Sequence, residues 1–142
     1  MSYALIADLE AAWAGDVERL ISLYVPDCVF EDKAFGIVHH GHAGLREVFA
    51  FSFSMMPDFR VRYGRSAIGT ETGAVEWTFT GSFHGEHGGR VHDGTPVRIE
   101  GISFMTFRDG KIVTNTDYWD VRSLERQLEA SSSADQSGTA GA

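Results

Sequence analysis

Val75-Glu76-Trp77-Thr78-Phe79-Thr80-Gly81-Ser82-Phe83 alternates along its length. Its odd positions, Gly81 apart, are large and apolar, and its even positions are polar or charged. Successive side chains of a strand point to opposite faces, so this pattern predicts a strand with one face on a core. The strand is expected over Ala74 to Phe83. Three further stretches, Phe59 to Ile68, Pro96 to Phe107 and Lys111 to Trp119, also read as strands. Arg108-Asp109-Gly110 between the last two is a tight hairpin turn. In Val97 to Met105 both faces carry apolar residues. One face would look into a cavity, and the other would meet a second surface or a partner subunit.

Upstream the period changes. Leu5, Leu9, Ala12 and Trp13 fall at helical spacing within Tyr3 to Ala14, and Gly15 stops that helix. Asp16 caps a second helix over Val17 to Tyr24, which Pro26 ends. Cys28 to Asp32 is short and β-prone. Gly36, Gly41 and Gly44 mark a loop, and Leu45 to Phe53 reads as a third helix. A short helix, Ser123 to Glu129, closes the folded part. Helices followed by a long antiparallel sheet make an α+β fold, a bent sheet wrapped on helices into a cone with one open end. Residues 1–130 are expected to form one domain. Residues 131–142, rich in Ser, Ala and Gly, are expected to be a disordered tail.

The chain has 142 residues, enough for one core. Its net charge of −8 repels phosphate backbones and anionic lipid, so neither nucleic acid nor membrane is an expected partner. Cys28 is the one cysteine, which rules out an intramolecular disulfide. No apolar run is long enough to span a membrane, and no signal-peptide pattern opens the chain. The cytoplasm is therefore the expected compartment. Ten Phe, four Tyr and three Trp are enough to line an apolar ligand cavity, although such residues also fill cores.

Five pieces occur in order: Ala14-Gly15-Asp16, Tyr24 to Asp32, Gly41 to Arg46, Pro57-Asp58-Phe59 and Asp109-Gly110-Lys111-Ile112. Together they resemble the SnoaL-like and ketosteroid-isomerase-like members of the NTF2-like superfamily, over about Ala4 to Leu128. The resemblance implies the cone fold and an internal pocket. Phe30-Glu31-Asp32-Lys33 is similar to the isomerase segment whose Asp is the general base, which implies that role for Asp32. Thr116-Asp117-Tyr118-Trp119-Asp120 is similar to a segment of the limonene-epoxide hydrolases, and implies a catalytic Asp117. SnoaL-type polyketide cyclases also place a catalytic Asp there. Where isomerases carry oxyanion donors, this chain has Asp8 and Ser103, and Ser103 also stands where the cyclases have a His. Trp77-Thr78-Phe79 replaces the Arg and Asp of the hydrolase triad.

The expected chemistry follows from burial. A carboxyl in an apolar pocket has a raised pKa and can both take and return a proton. Asp32 and Asp117 are the expected acid and base, and Ser103 the expected donor to a substrate oxygen. The plainer readings are a turn residue for Asp32, an ion-paired strand end for Asp117 and a backbone-bonding hydroxyl for Ser103. Trp13, Phe30, Phe53, Trp77, Phe79, Ile99 and Trp119 are the expected substrate wall, with phenols from Tyr24 and Tyr118. His39 and His84 are expected at the mouth, His84 on a lid loop from Phe83 to Thr95. His39, His40 and His42, and His84, His87 and His92, lie on glycine-rich segments unsuited to a metal, and no metal or cofactor is expected. The function expected is an isomerase, cyclase or lyase working by acid–base catalysis on a small hydrophobic cyclic or polyketide-like substrate, in a homodimer. The alternatives are a non-catalytic small-molecule-binding domain and an epoxide-opening enzyme with a reduced triad.

Overall fold

The computed structural model describes residues 3–140, with side chains for 4–131. Helices α1 (Tyr3–Ala12) and α2 (Val17–Ser22) come first, followed by strands β1 (Tyr24–Asp32) and β2 (Ile37–His40). Then come α3 (Gly41–Met55), β3 (Arg60–Ile68), β4 (Thr72–His87), β5 (Arg90–Arg108), β6 (Lys111–Trp119) and α4 (Val121–Ala140). The strands form one curved, unclosed sheet in the order β2-β1-β6-β5-β4-β3. All neighbours are antiparallel except β1 and β6, which run parallel and bring Asp32 beside Asp117. The fold is α+β.

Each local device has a chemical cause. Gly15 takes a positive φ of 117° and breaks the chain after α1. Asp16 Oδ1 then accepts the Arg19 amide at 3.0 Å and caps α2. Asp109 and Gly110, at φ 51° and 78°, make the two-residue turn between β5 and β6. Asp120 Oδ1 accepts the Arg122 amide at 2.9 Å at the start of α4.

The structure corrects several boundaries, among them the third helix, which starts at Gly41 inside the glycine-marked stretch and runs to Met55. Helix α2 stops at Ser22, and Tyr24 opens a strand instead of ending a helix. Pro26 falls where the β1–β6 register shifts between Tyr24 and Val29, so its missing N–H leaves no ladder position unfilled. The glycine-marked loop contains β2, an edge strand paired with β1 through Val29↔His40 to Asp32↔Ile37. The lid loop from Phe83 to Thr95 does not form. Here β4 and β5 stay paired out to His87↔Arg90 and turn at Gly88-Gly89, both at positive φ. Backbone hydrogen bonds need no apolar alternation, so this polar stretch extends as a hairpin. The final helix runs beyond Ser123 to Glu129. Side chains from 132 onward, where the tail was expected, lie outside the described residues.

The concave face of the sheet holds the core. Val75, Ile99, Met105 and Ile112 are buried there, with Leu20 of α2, Leu45 of α3 and Leu128 of α4. Among the described residues no helix is long and apolar enough to cross a membrane.

Candidate active site

A cavity of about 320 Å³ opens between α1, α3 and the concave face. Strand parity decides its walls. Phe30 and Asp32 come from β1, Val61 and Tyr63 from β3, Val75, Trp77 and Phe79 from β4. Ser103 and Met105 come from β5, and Asn115, Asp117 and Trp119 from β6. The helices add Leu9, Val48, Met55 and Leu124, and Trp13 joins them from just beyond the end of α1. The aromatic rings are in mutual contact: Trp77 stacks on Phe79 at 5.8 Å, and Phe79 meets Phe59 at 5.3 Å and Trp119 at 5.7 Å. At the rim Phe35 packs edge-on against Trp119 at 5.1 Å and Phe51 at 6.2 Å. Phe35 and Phe51 stay 39% and 49% exposed, so they frame the mouth.

The polar groups form a chain across the sheet. Gly101 lies opposite Trp77 in the ladder, and a Cβ there would meet the indole at 2.5 Å. The missing side chain lets the Trp77 ring lie across β5, where its Nε1 donates to Ser103 Oγ at 2.8 Å. Ser103 is paired with Asp117 in the β5–β6 ladder and donates to its Oδ1 at 2.5 Å. Asn115 Nδ2 donates to the same oxygen at 2.7 Å. Among the described residues nothing donates to Oδ2. Asp32 is held separately: the Phe35 amide donates to Oδ1 at 3.0 Å and Trp119 Nε1 to Oδ2 at 3.2 Å.

Burial pushes the Asp117 carboxyl from the ordinary 3.8 up to about 6. The Ser103 and Asn115 hydrogen bonds hold it down in part, and the Asp32 charge adds a smaller upward push. No Lys or Arg among the described residues lines the cavity to offset that charge. Burial, and then the charge on Asp117, raise the Tyr24 and Tyr63 phenols, which stay protonated at any working pH. The site thus combines a carboxyl that titrates near neutrality with neutral phenols and apolar walls. That equipment suits proton transfer on an uncharged organic ligand.

The model of the SnoaL-like domain matches residues 7–115, most of the chain. The chain belongs to the SnoaL-like domain family. Solved structures agree on the fold. A protein from Catenulispora acidiphila with a ketosteroid-isomerase-like fold, solved with trimethylamine, is 20% identical at a TM-score of 0.77. The match covers 89% of this chain and 93% of that one. IdmH of Streptomyces antibioticus, a candidate polyketide cyclase, is 24% identical at a TM-score of 0.78, over 89% of this chain and 97% of its own. TerC, crystallised with polyporic acid, is 20% identical at a TM-score of 0.72, over 89% and 97%. At these identities the likeness speaks for fold. None of the curated protein sequences matches the chain.

In this SnoaL-like cavity, ten of the residues singled out by sequence are brought together: Trp13, Tyr24, Phe30, Asp32, His39, Trp77, Phe79, Ser103, Asp117 and Trp119. Four are not. Tyr118 lies between two inward residues, so parity turns it outward, where it is 48% exposed. Ile99 is buried in the core and is not among the residues that line the cavity. Phe53 packs between Phe49 at 4.6 Å and Phe59 at 5.6 Å behind the wall. His84, on the extended hairpin, is exposed and pairs with Asp93 at 3.1 Å.

The role expected of Ser103 also changes. An indole N–H can only donate, so Ser103 must accept from Trp77 and give its single proton to Asp117. Nothing remains for a substrate oxygen. Sequence reasoning missed Tyr63 and Asn115. Parity would have found both, since Tyr63 shares a face with Val61, and Asn115 with Asp117. Of the described residues, His87, Glu125 and Glu129 could gather around a metal, with ligand atoms within 4.8 Å of one another. Arg122 reaches both glutamates at 3.6 Å and supplies the positive charge they need.

Proposed function

We propose that this protein is an acid–base enzyme, an isomerase, cyclase or lyase, acting on a small hydrophobic cyclic or polyketide-like substrate. The observation that carries the reading is Asp117: a carboxyl deep in an apolar cavity, with no cation beside it and a pKa of about 6. Such a group is ionised often enough to take a proton and basic enough to pull one. Asp117 acts as base through Oδ2, the oxygen that receives no hydrogen bond among the described residues. Ser103 and Asn115 hold its other oxygen and fix its direction. Asp32, its neighbour across β1 and β6, returns or relays the proton. The transfer runs between carboxyls and substrate, and the reading assigns it no cofactor. Without a cation in the lining, a neutral substrate is favoured over an anionic one.

An epoxide-opening route finds little support, because Trp77 and Phe79 occupy the positions of the hydrolase Arg and Asp. The exposed outer-face residues Ile102, Phe104 and Tyr118 support the expected homodimer, and the cytoplasm remains the proposed location.

The test is a panel of apolar cyclic ketones, enones and epoxides, titrated and assayed with wild type, Asp117→Asn and Asp32→Asn. Ligands should bind all three proteins and turn over only where the carboxyls are intact. Turnover indifferent to both substitutions would reduce the cavity to a binding site.

A further inference from the structure

The far part of the β4–β5 hairpin stands apart from the rest of the sheet. β3 follows β4 only as far as Arg60↔Thr80, and β6 meets β5 only from Gly101↔Trp119. The paired residues from 81 to 87 and from 90 to 100 therefore have no third strand beside them among the described residues. A lone two-stranded hairpin is marginally stable in water and needs something to pack on. Here α4 lies along β5. The Gln127 side chain accepts from the Arg98 amide at 2.9 Å and donates to the Arg98 carbonyl at 2.8 Å, as a neighbouring strand would. At the tip of the arm, His87 comes up against Glu125 and Glu129 of α4.

A glycine-rich loop is too soft to hold a metal, but this segment is a paired strand. His87 lies opposite Arg90, on the last rung before Gly88-Gly89. Glu125 and Glu129 are four residues apart on a helix, so their side chains project together. One ligand atom from each of the three residues lies within 4.8 Å of the others. Tetrahedral zinc, with bonds of about 2.0–2.1 Å, sets its ligands about 3.3 Å apart, a gap that rotation of partly exposed side chains closes. Among the described residues, none of the three side chains makes a hydrogen bond. Their ion pairs are long, 4.0 Å from His87 Nε2 to Glu129 and 3.6 Å from Arg122 to each glutamate. Arg122 offsets one of the two carboxylate charges and has no use for an imidazole lone pair. A divalent ion would balance both charges and use all three ligands. An imidazole beside two carboxylates suits zinc, nickel or cobalt better than calcium or magnesium.

We propose that His87, Glu125 and Glu129 form a zinc-class divalent metal site that clamps the tip of the β4–β5 hairpin to α4. Water completes the coordination shell. Leu124, next to Glu125 in the chain, lines the cavity, so the clamp also steadies part of the substrate wall. The ion has a structural role and takes no part in the proton transfer.

The test titrates zinc chloride into the full, tag-free chain by calorimetry, after chelator treatment and removal of the chelator. Wild type should take up one zinc ion per chain at micromolar zinc. His87→Ala and Glu125→Gln/Glu129→Gln should each weaken uptake about tenfold or more. Arg122→Gln, which removes the competing charge, should tighten it. His84→Ala, on the same hairpin, should leave it unchanged. Circular dichroism checks that each variant folds. Uptake only at millimolar zinc, or micromolar uptake that survives the loss of His87 or of both glutamates, would overturn the site. Amide hydrogen exchange reads the clamp: zinc should slow exchange at residues 81–100 in wild type and not in His87→Ala. Zinc bound through all three ligands with exchange unchanged would overturn the clamp.

Discussion

The charge on Asp117 works against folding, and the cost can be worked out. In the unfolded chain its carboxyl titrates near 3.8, and in the folded protein near 6. Below pH 4 both states hold the proton, and burial costs little. Between about pH 4 and 6 the folded state holds the proton more tightly, so stability falls as pH rises. Above the folded value the penalty is complete. At 1.36 kcal/mol per pH unit, the gap between 3.8 and about 6 comes to about 3 kcal/mol. Asp117→Asn removes the charge and keeps an oxygen that can accept from Ser103 and Asn115. The variant should be more stable than wild type at pH 8 by up to about 3 kcal/mol, or roughly 10 °C in Tm for a chain of this size. The gain should shrink steadily towards pH 4, while turnover is lost at every pH. Thermal and urea unfolding followed by circular dichroism between pH 4 and 8 would measure it. A difference between the two proteins that does not change with pH would refute the assignment of a buried, titrating Asp117.

The remaining expectations concern the groups around it. Ser103→Ala removes one donor from the carboxylate and leaves the Trp77 N–H buried and unpaired, at about 1–3 kcal/mol of stability. It should also move the acidic limb of the kcat/KM profile upward from about pH 6, and an unmoved limb would deny that Ser103 tunes Asp117. Gly101→Ala puts a Cβ into the Trp77 ring and against the Tyr118 carbonyl at 2.8 Å, which should cost about 1–3 kcal/mol and shift tryptophan emission. A wild-type Tm and spectrum would mean that the indole does not lie over β5. Phe35→Ala and Phe51→Ala at the exposed mouth should raise KM about threefold or more with Tm almost unchanged, and an unchanged KM would remove them from the substrate's path.

The sequence disclosed whatever depends on side-chain alternation. Lys111 to Trp119 matches β6 at both ends, and Phe59 to Ile68 misses β3 by one residue. The parity that defined those strands put Trp77, Phe79, Asp117 and Trp119 on one face, and in the fold that face lines the cavity. Elements held mainly by backbone bonds were not legible. The far end of the β4–β5 hairpin has no alternation to read, and β2 is an exposed edge strand whose four residues give no pattern. Tyr24 was misplaced because Pro26 looked like a helix stop, when the proline sits in a gap of the β1–β6 ladder. The role of Ser103 was hidden for a different reason. A hydroxyl can point its proton either way, and only a neighbour fixes the direction. That neighbour is Trp77, 26 residues away in the chain and brought near by β4–β5 pairing. Because an indole cannot accept, Ser103 is committed to Asp117 and has no proton left for a substrate oxygen. Composition and motif could nominate the carboxyls, but the commitment of Ser103 to Asp117 depended on three strands, β4, β5 and β6, being in register.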